Sequence, residues 1–200
     1  QMKEHDSAAH EAQLARQLVL SLLPEDAPVL PGWDIAVHCE PAEVVGGAYY
    51  DFVLRSDGCL MLAFGEVGAD GVPAGLTLAI LRTTLRAAAR ENAAPAQALQ
   101  ESNELLSPDL PPGIAVTCIY TILDPASGEL CIGNAGHASP LWVRKASIDE
   151  VGPRDNALSL EFNSRYTETG VTLLTGDCML FYSHALLTAK NPEGEEFGLA

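Results

Sequence analysis

The sequence predicts an α+β domain in which mostly antiparallel sheets pack against helices. Three observations lead to this prediction: strand-like segments follow an N-terminal helical segment, two further helical segments come next, and five more strand-like segments complete the chain. Strands and helices that are segregated along a chain favour a layered α+β architecture. A length of 200 residues with 48% apolar residues is sufficient for one domain with its own hydrophobic core.

The first segment of the chain is predicted to be a helix. Leu14, Leu18 and Leu22 recur at i+4 spacing, and Pro24 ends the run. This leucine stripe either packs on the domain or pairs with another helix, and the residues themselves leave both possibilities open. We therefore divide the chain into an N-terminal helix, residues 1–24, and one folded domain, residues 25–200.

Two glycine-rich turns with acidic residues lie in the predicted strand region that follows. Apolar and polar residues alternate at 33–39, and further strands are predicted at 49–54 and 59–64. The last two are joined through Asp57 and Gly58, and an Asp-Gly pair is a hairpin signal. The glycine-rich segments, 46–52 and 65–71, should therefore meet at the ends of neighbouring strands, where a metal site could be built.

Helices and then strands are predicted for the rest of the chain. One helix begins at Val72 and Pro73 and runs to about Arg90, and a second begins at Pro95 and ends before Pro108. Further strands are predicted at 114–123, 129–132, 141–143, 166–174 and 178–182.

The charge and hydropathy of the chain exclude several classes of partner. A formal net charge of -16 argues against nucleic acids and anionic membranes, which require a basic patch, but permits a basic protein partner. No apolar run approaches the ~20 residues that span a bilayer, so we expect a cytoplasmic protein. The five cysteines lack metal-ligand spacing and are expected to be reduced thiols within apolar strands.

Four blocks of the sequence carry a family resemblance. They are V-G-G-A-Y-Y-D-F at 45–52, the glycine-rich segment at 65–73, N-A-G-H at 134–137 and Y-S-H-A at 182–185. In this order they resemble the motifs of the SpoIIE/RsbU branch of the PPM metal-dependent serine/threonine phosphatases. The resemblance implies an αββα sandwich of two mostly antiparallel sheets flanked by helices. It also implies that the N-terminal helix links an upstream sensor domain to the phosphatase and often pairs in dimers.

The resemblance further implies a site for two Mn²⁺ or Mg²⁺ ions, which family members hold with aspartates of the first, second and fourth blocks. This sequence has Ala48, Glu66 and His184 at those three positions. The family's last strand, which opens with D-D-x-[TA] and supplies another aspartate, is not found before Ala200 and is expected to be missing. Metal binding here is therefore in question, and no catalytic residue is assigned.

The candidate metal residues that remain are a small set. They are Asp51, Glu66, Val67, Asp70 and His184. Two divalent cations require several oxygen ligands, usually carboxylates, spaced to hold the ions ~3.5–4 Å apart. An alanine side chain supplies no oxygen, a glutamate is one methylene longer than an aspartate, and a histidine offers a nitrogen that suits Mn²⁺ or Zn²⁺ better than Mg²⁺.

Three hypotheses about function follow from these substitutions. The first is a pseudophosphatase that acts in regulatory signalling, for example of the sigma-factor partner-switching kind. Its partner would be a protein, such as a STAS-type anti-sigma factor antagonist or an upstream sensor domain. The second is an active Mn²⁺- or Mg²⁺-dependent phosphatase with a remodelled site. The third is a structural domain that dimerises through the N-terminal helix.

His137 in the N-A-G-H block is the remaining candidate. We predict a turn histidine that is hydrogen-bonded to nearby backbone, and not a metal ligand.

Overall fold

The computed structural model describes residues 13, 17, 20–39, 47–69, 71–110 and 113–199. Most of the predicted N-terminal helix lies outside these residues, although residues 20–22 are helical. The part of the chain that is described includes no helix with the length and apolar character needed to cross a membrane.

Eight strands in the described part of the chain form two antiparallel sheets. Their bounds are β1 (Ala48–Leu54), β2 (Leu60–Val67), β3 (Val116–Leu123), β4 (Glu129–Ala135), β5 (Leu141–Arg144), β6 (Ser147–Glu150), β7 (Glu168–Thr172) and β8 (Cys178–Leu180). The larger sheet has the order β1-β2-β3-β4-β7, and the smaller one has the order β6-β5-β8. All strand pairs are antiparallel, so the predicted fold class is confirmed.

Two helices cover one face of the larger sheet. They are α1 (Gly71–Arg90) and α2 (Pro95–Leu106). Leu78, Leu81 and Leu85 recur along one side of α1 and are buried against Tyr49 and Met61 of the sheet. The apolar stripe predicted for α1 therefore forms the main hydrophobic core, and burial of each such side chain contributes roughly 1.5–3 kcal/mol.

The opposite face of the larger sheet packs against the smaller sheet. Leu60, Ile119 and Ile132 are buried there, with Met179 and Phe181 from β8 and its end packed against them. The layers are thus helices, five strands and three strands. After β8 the described residues contain the short helix α3 (His184–Leu187).

The structure corrects one local prediction and adds one strand that was not predicted. Residues 33–39 alternate in polarity but form no strand; Trp33 makes an isolated bridge to Leu30, and its indole N–H donates to the carbonyl of Pro125 at 3.0 Å. Alternation is therefore insufficient without a neighbouring strand to pair with. Strand β6 was not predicted, because Ile148 is its one large apolar residue and gives no periodic signal. The hairpin between β1 and β2 is confirmed by their pairing.

Candidate functional site

Ala48 and Glu66, the first two positions at which the resemblance implies a metal-binding aspartate, face each other across the β1–β2 ladder. Ala48 is the register partner of Glu66, and alternation places both on the face that packs towards the smaller sheet. Next to them, the N–H of Val67 donates to the carbonyl of Gly47 at 2.9 Å. A Cβ on Gly47 would lie 2.2 Å from the Val67 carbonyl oxygen, so only glycine permits this close approach of the two turns.

His184, the third of these positions, lies at the same rim of the sheet although it is near the other end of the chain. The backbone N–H of His184, at the start of α3, donates to Oε2 of Glu66 at 3.4 Å. The structure therefore brings Ala48, Glu66 and His184 together, although 118 residues separate the last two.

Thr117 and His137 extend this group. The Thr117 hydroxyl lies 2.8 Å from Nδ1 of His137, whose Nε2 lies 3.2 Å from the carbonyl oxygen of Tyr182. The predicted hydrogen bond between this histidine and backbone is thus confirmed, but the carbonyl comes from another segment of the chain. Asn134 is fully buried and holds the His137 backbone with both atoms of its side-chain amide, at 2.8 and 3.0 Å.

The environment of His137 favours its neutral form. Burial lowers the pKa of the imidazole, opposed by the nearby charge of Glu66. A neutral ring carries one proton, and the Tyr182 carbonyl can only accept, so the hydrogen-bond pattern places that proton on Nε2. Nδ1 then accepts from Thr117. Sequence analysis missed Thr117, because only the β2–β3 register, in which it pairs with Glu66, reveals its position.

Asp51 requires a correction. It points to the helix side of the larger sheet, opposite to Glu66, and is fully buried. Arg86 binds both of its carboxylate oxygens, at 2.5 and 2.7 Å, and the Tyr49 hydroxyl donates to Oδ2 at 3.0 Å. Arg82 lies 3.7 Å away. Asp51 is therefore a structural ion-pair partner of α1 and cannot share a metal with Glu66.

Of the two other candidate metal residues, the structure describes Val67 alone. The Val67 side chain is buried in the core below the helices, and its N–H is bonded to Gly47 as described above. Asp70 lies outside the described residues.

The residues of the rim do not fit a centre for two hard cations. Ala48 supplies no side-chain oxygen, and the Glu66 carboxylate accepts a hydrogen bond from His184. Across the described ranges, no three His, Cys, Asp or Glu side chains are grouped so that they could hold a metal ion. A hydrolytic mechanism through a metal-bound water consequently has no support in this geometry.

A shallow pocket of ≈ 350 Å³ adjoins the rim. His137, Ser139, Tyr182 and His184 contribute to its lining. The guanidinium of Arg154, at its edge, forms an ion pair with Glu150, so this cation already has a carboxylate partner.

The fold and rim together define the class of protein. The chain has a PPM-type phosphatase fold. Two antiparallel sheets pack face to face, helices cover one of them, and glycine-rich turns lie at the rim. The chain belongs to the SpoIIE family: the model of Stage II sporulation protein E (SpoIIE) matches residues 56–200.

Individual relatives agree with this assignment. The chain is 24% identical over 220 residues to Protein IcfG of Synechocystis sp. (strain ATCC 27184 / PCC 6803 / Kazusa), covering 94% of this chain and 34% of that protein. It is 19% identical over 186 residues to Phosphoserine phosphatase RsbU of Bacillus subtilis (strain 168), covering 92% and 55%. It thus spans between a third and somewhat over half of these relatives.

A solved structure supports the same fold. The RsbU and RsbW domains of Rv1364c from Mycobacterium tuberculosis superpose with a TM-score of 0.63 at 28% identity, covering 76% of this chain and 42% of that one.

Proposed function

We propose that this domain is a degenerate SpoIIE/RsbU-like phosphatase domain that acts as a pseudophosphatase in regulatory signalling. One observation carries the proposal: the three family metal positions meet at one rim, yet they hold Ala48, a Glu66 carboxylate engaged by backbone, and His184. Losing the oxygen ligands loses the activated water on which this hydrolysis depends. The fold is retained, so a binding role remains available to it.

The relatives suggest where such a role would lie. One of them is named a phosphoserine phosphatase, and the matched Mycobacterium structure holds RsbU and RsbW domains in one chain. By analogy, we propose a protein partner, either a STAS-type anti-sigma factor antagonist or an upstream sensor domain, for a cytoplasmic domain. The charge of -16 favours a partner with a basic surface. Pairing of two chains through the N-terminal helix is part of the same proposal.

An active phosphatase with a remodelled site is the second candidate. The closeness of Glu66 and His184 favours it, since the two side chains belong to one rim and could both contribute to a single Mn²⁺ site. Asp51, which sequence analysis added to this site, is engaged by Arg86 on the other face.

Metal titration and turnover distinguish the two candidates. We expect the unmodified chain to hydrolyse p-nitrophenyl phosphate or a phosphoserine peptide no faster than background in Mn²⁺, and to give no stoichiometric heat in calorimetry. The variant with Ala48→Asp, Glu66→Asp and His184→Asp should bind Mn²⁺ more tightly, because each change adds or repositions a hard oxygen donor.

A catalytically active family member, assayed in parallel, is the positive control. Mn²⁺-dependent turnover by the unmodified chain that is lost in both Glu66→Ala and His184→Ala would replace the pseudophosphatase proposal with the remodelled site.

A further inference from the structure

Two hydrogen-bonded paths cross the rim and join the two sheets. They start on the larger sheet at Glu66 and Thr117, the register partners of β2 and β3. The Glu66 carboxylate accepts directly from the backbone N–H of His184, whereas Thr117 reaches the Tyr182 carbonyl through His137, which follows β4. Tyr182 and His184 both follow β8 of the smaller sheet. We call these five residues the rim latch.

The first contact of the rim latch uses the side chain that departs from the family pattern. The family resemblance implies a metal-binding aspartate at this position, whereas Glu66, with one more methylene, places Oε2 3.4 Å from the His184 backbone nitrogen. The opposite position is Ala48, which brings no second carboxylate to repel this one. The two substitutions therefore fit a carboxylate that bonds protein backbone.

The second contact runs through the single hydroxyl proton of Thr117. Its Oγ1 is within reach of the Glu66 carbonyl oxygen, at 3.3 Å, and of His137 Nδ1, at 2.8 Å. The neutral imidazole has Nδ1 free to accept, so the shorter contact takes the proton. The Nε2–H of the same ring donates to the Tyr182 carbonyl. Thr117 is thereby linked to the smaller sheet through one rigid ring.

We propose that the rim latch clasps the two sheets and holds the segment 182–188 closed by protein contacts, in the place where the family uses metal ions. The inference rests on the proposed function insofar as it assumes a metal-free rim. In this proposal Glu66, Thr117 and His137 hold the segment 182–188 in place, and this role is independent of any catalytic activity. Opening of the latch would separate α3 from the two sheets; its remaining backbone bonds include those from Thr188 N–H to the His184 carbonyl, at 3.2 Å, and from Gly198 N–H to the Leu187 carbonyl, at 3.0 Å.

Hydrogen exchange of the full 200-residue chain tests the latch at Thr117. Thr117→Val removes the hydroxyl at nearly constant volume and should accelerate exchange in peptides covering 182–188 by about five- to tenfold, the effect of losing one partly buried hydrogen bond. Thr121→Val is the matched control: Thr121 lies on the same strand and face, and its hydroxyl donates within the larger sheet, to the carbonyl of Leu62 on β2 at 3.2 Å. It should leave exchange at 182–188 unchanged.

A pair of variants at Glu66 keeps the test decisive even where Thr117→Val fails to fold. Glu66→Gln retains an oxygen that accepts from His184 but is a poor metal ligand, whereas Glu66→Ala removes both properties. The rim latch predicts that Gln behaves as the unmodified chain and that only Ala accelerates exchange. A metal-held rim predicts that both variants, and EDTA added to the unmodified chain, accelerate it equally.

The outcomes separate the latch from the proposed function. Unchanged exchange in folded Thr117→Val, or equal acceleration in Glu66→Gln and Glu66→Ala, overturns the latch. Stoichiometric Mn²⁺ binding in the calorimetry described above overturns the proposed function, and it does so without any change at Thr117.

Discussion

At the scale of single residues, Asp51 shows how one motif position can have a structural role. Its carboxylate is fully buried and is bound by Arg86, Tyr49 and its own neighbour's backbone N–H, that of Phe52 at 2.9 Å. A buried carboxylate in such surroundings ties β1 to α1. The side chains of Arg82 and Arg86 are about a third exposed, so water can solvate them when the carboxylate is removed. The Asp51 carboxylate is buried, so removal of its cation leaves an uncompensated buried charge.

Replacing Arg86 tests this ion pair. Arg86→Met leaves Asp51 buried with Arg82 as its remaining cation at 3.7 Å, so we expect a loss of ~3 kcal/mol in the free energy of unfolding. Urea denaturation followed by circular dichroism measures it. Arg90→Met, on the exposed end of the same helix, should cost under ~0.5 kcal/mol. Equal losses in the two variants would show that the ion pair contributes nothing specific.

His137 provides a second test at the residue scale. His137→Ala removes two side-chain hydrogen bonds from a buried site, and we expect ~1–2 kcal/mol of destabilisation without any change in metal binding. His184→Ala is the control for stability, because His184 is exposed and meets Glu66 through its backbone. Thermal melting of both variants, with Mn²⁺ titrations alongside, gives the answer. Altered metal uptake with unchanged melting in His137→Ala would make this histidine a ligand.

At the scale of elements, the position of β2 against β3 depends on a glycine. A Cβ on Gly65 would lie 2.3 Å from the Thr117 carbonyl oxygen, and the backbone would have to move to relieve this clash. This close approach brings the ends of β2 and β3 together at the rim, where Glu66 pairs with Thr117.

Substitution of this glycine is a prediction about strand packing. Gly65→Ala should destabilise the domain by ~2–3 kcal/mol, because the added methyl group overpacks the β2–β3 contact. Gly170→Ala in β7, where an added Cβ meets nothing within 4 Å, should be neutral or slightly stabilising. Chemical denaturation of both variants distinguishes them. Similar stabilities would mean that the backbone adapts to the methyl group at no cost.

At the scale of the whole molecule, stability comes from two apolar cores that do not depend on the rim. One lies between the helices and the larger sheet, and the other lies between the two sheets. Buried apolar area contributes ~25 cal/mol per Å², whereas the rim offers a few hydrogen bonds of ~1 kcal/mol each. A rim without bound metal is therefore compatible with a stable fold.

Folding without metal is the corresponding prediction. The melting temperature of the unmodified chain should be the same in EDTA and in micromolar Mn²⁺, because no ligand that binds only the folded state is involved. The variant with three restored aspartates is the internal comparison and should melt higher in Mn²⁺. A strong rise for the unmodified chain would contradict a metal-free native state.

The sequence by itself determined the α+β class, the hairpin and the two long helices. These follow from local signals, namely periodicity and turn residues, which act over a few positions of the chain. The family resemblance also singled out Ala48, Glu66 and His184, which the structure brings to one rim.

Only the tertiary structure decided which of the candidate residues meet. Asp51 and Glu66 lie on opposite faces of the larger sheet, and Asp51 is bound by Arg86 of the helix layer. Glu66 meets His184 because strand pairing and sheet packing bring together residues that are 118 positions apart. Such contacts depend on register and on the packing of layers, so no local pattern in the chain encodes them.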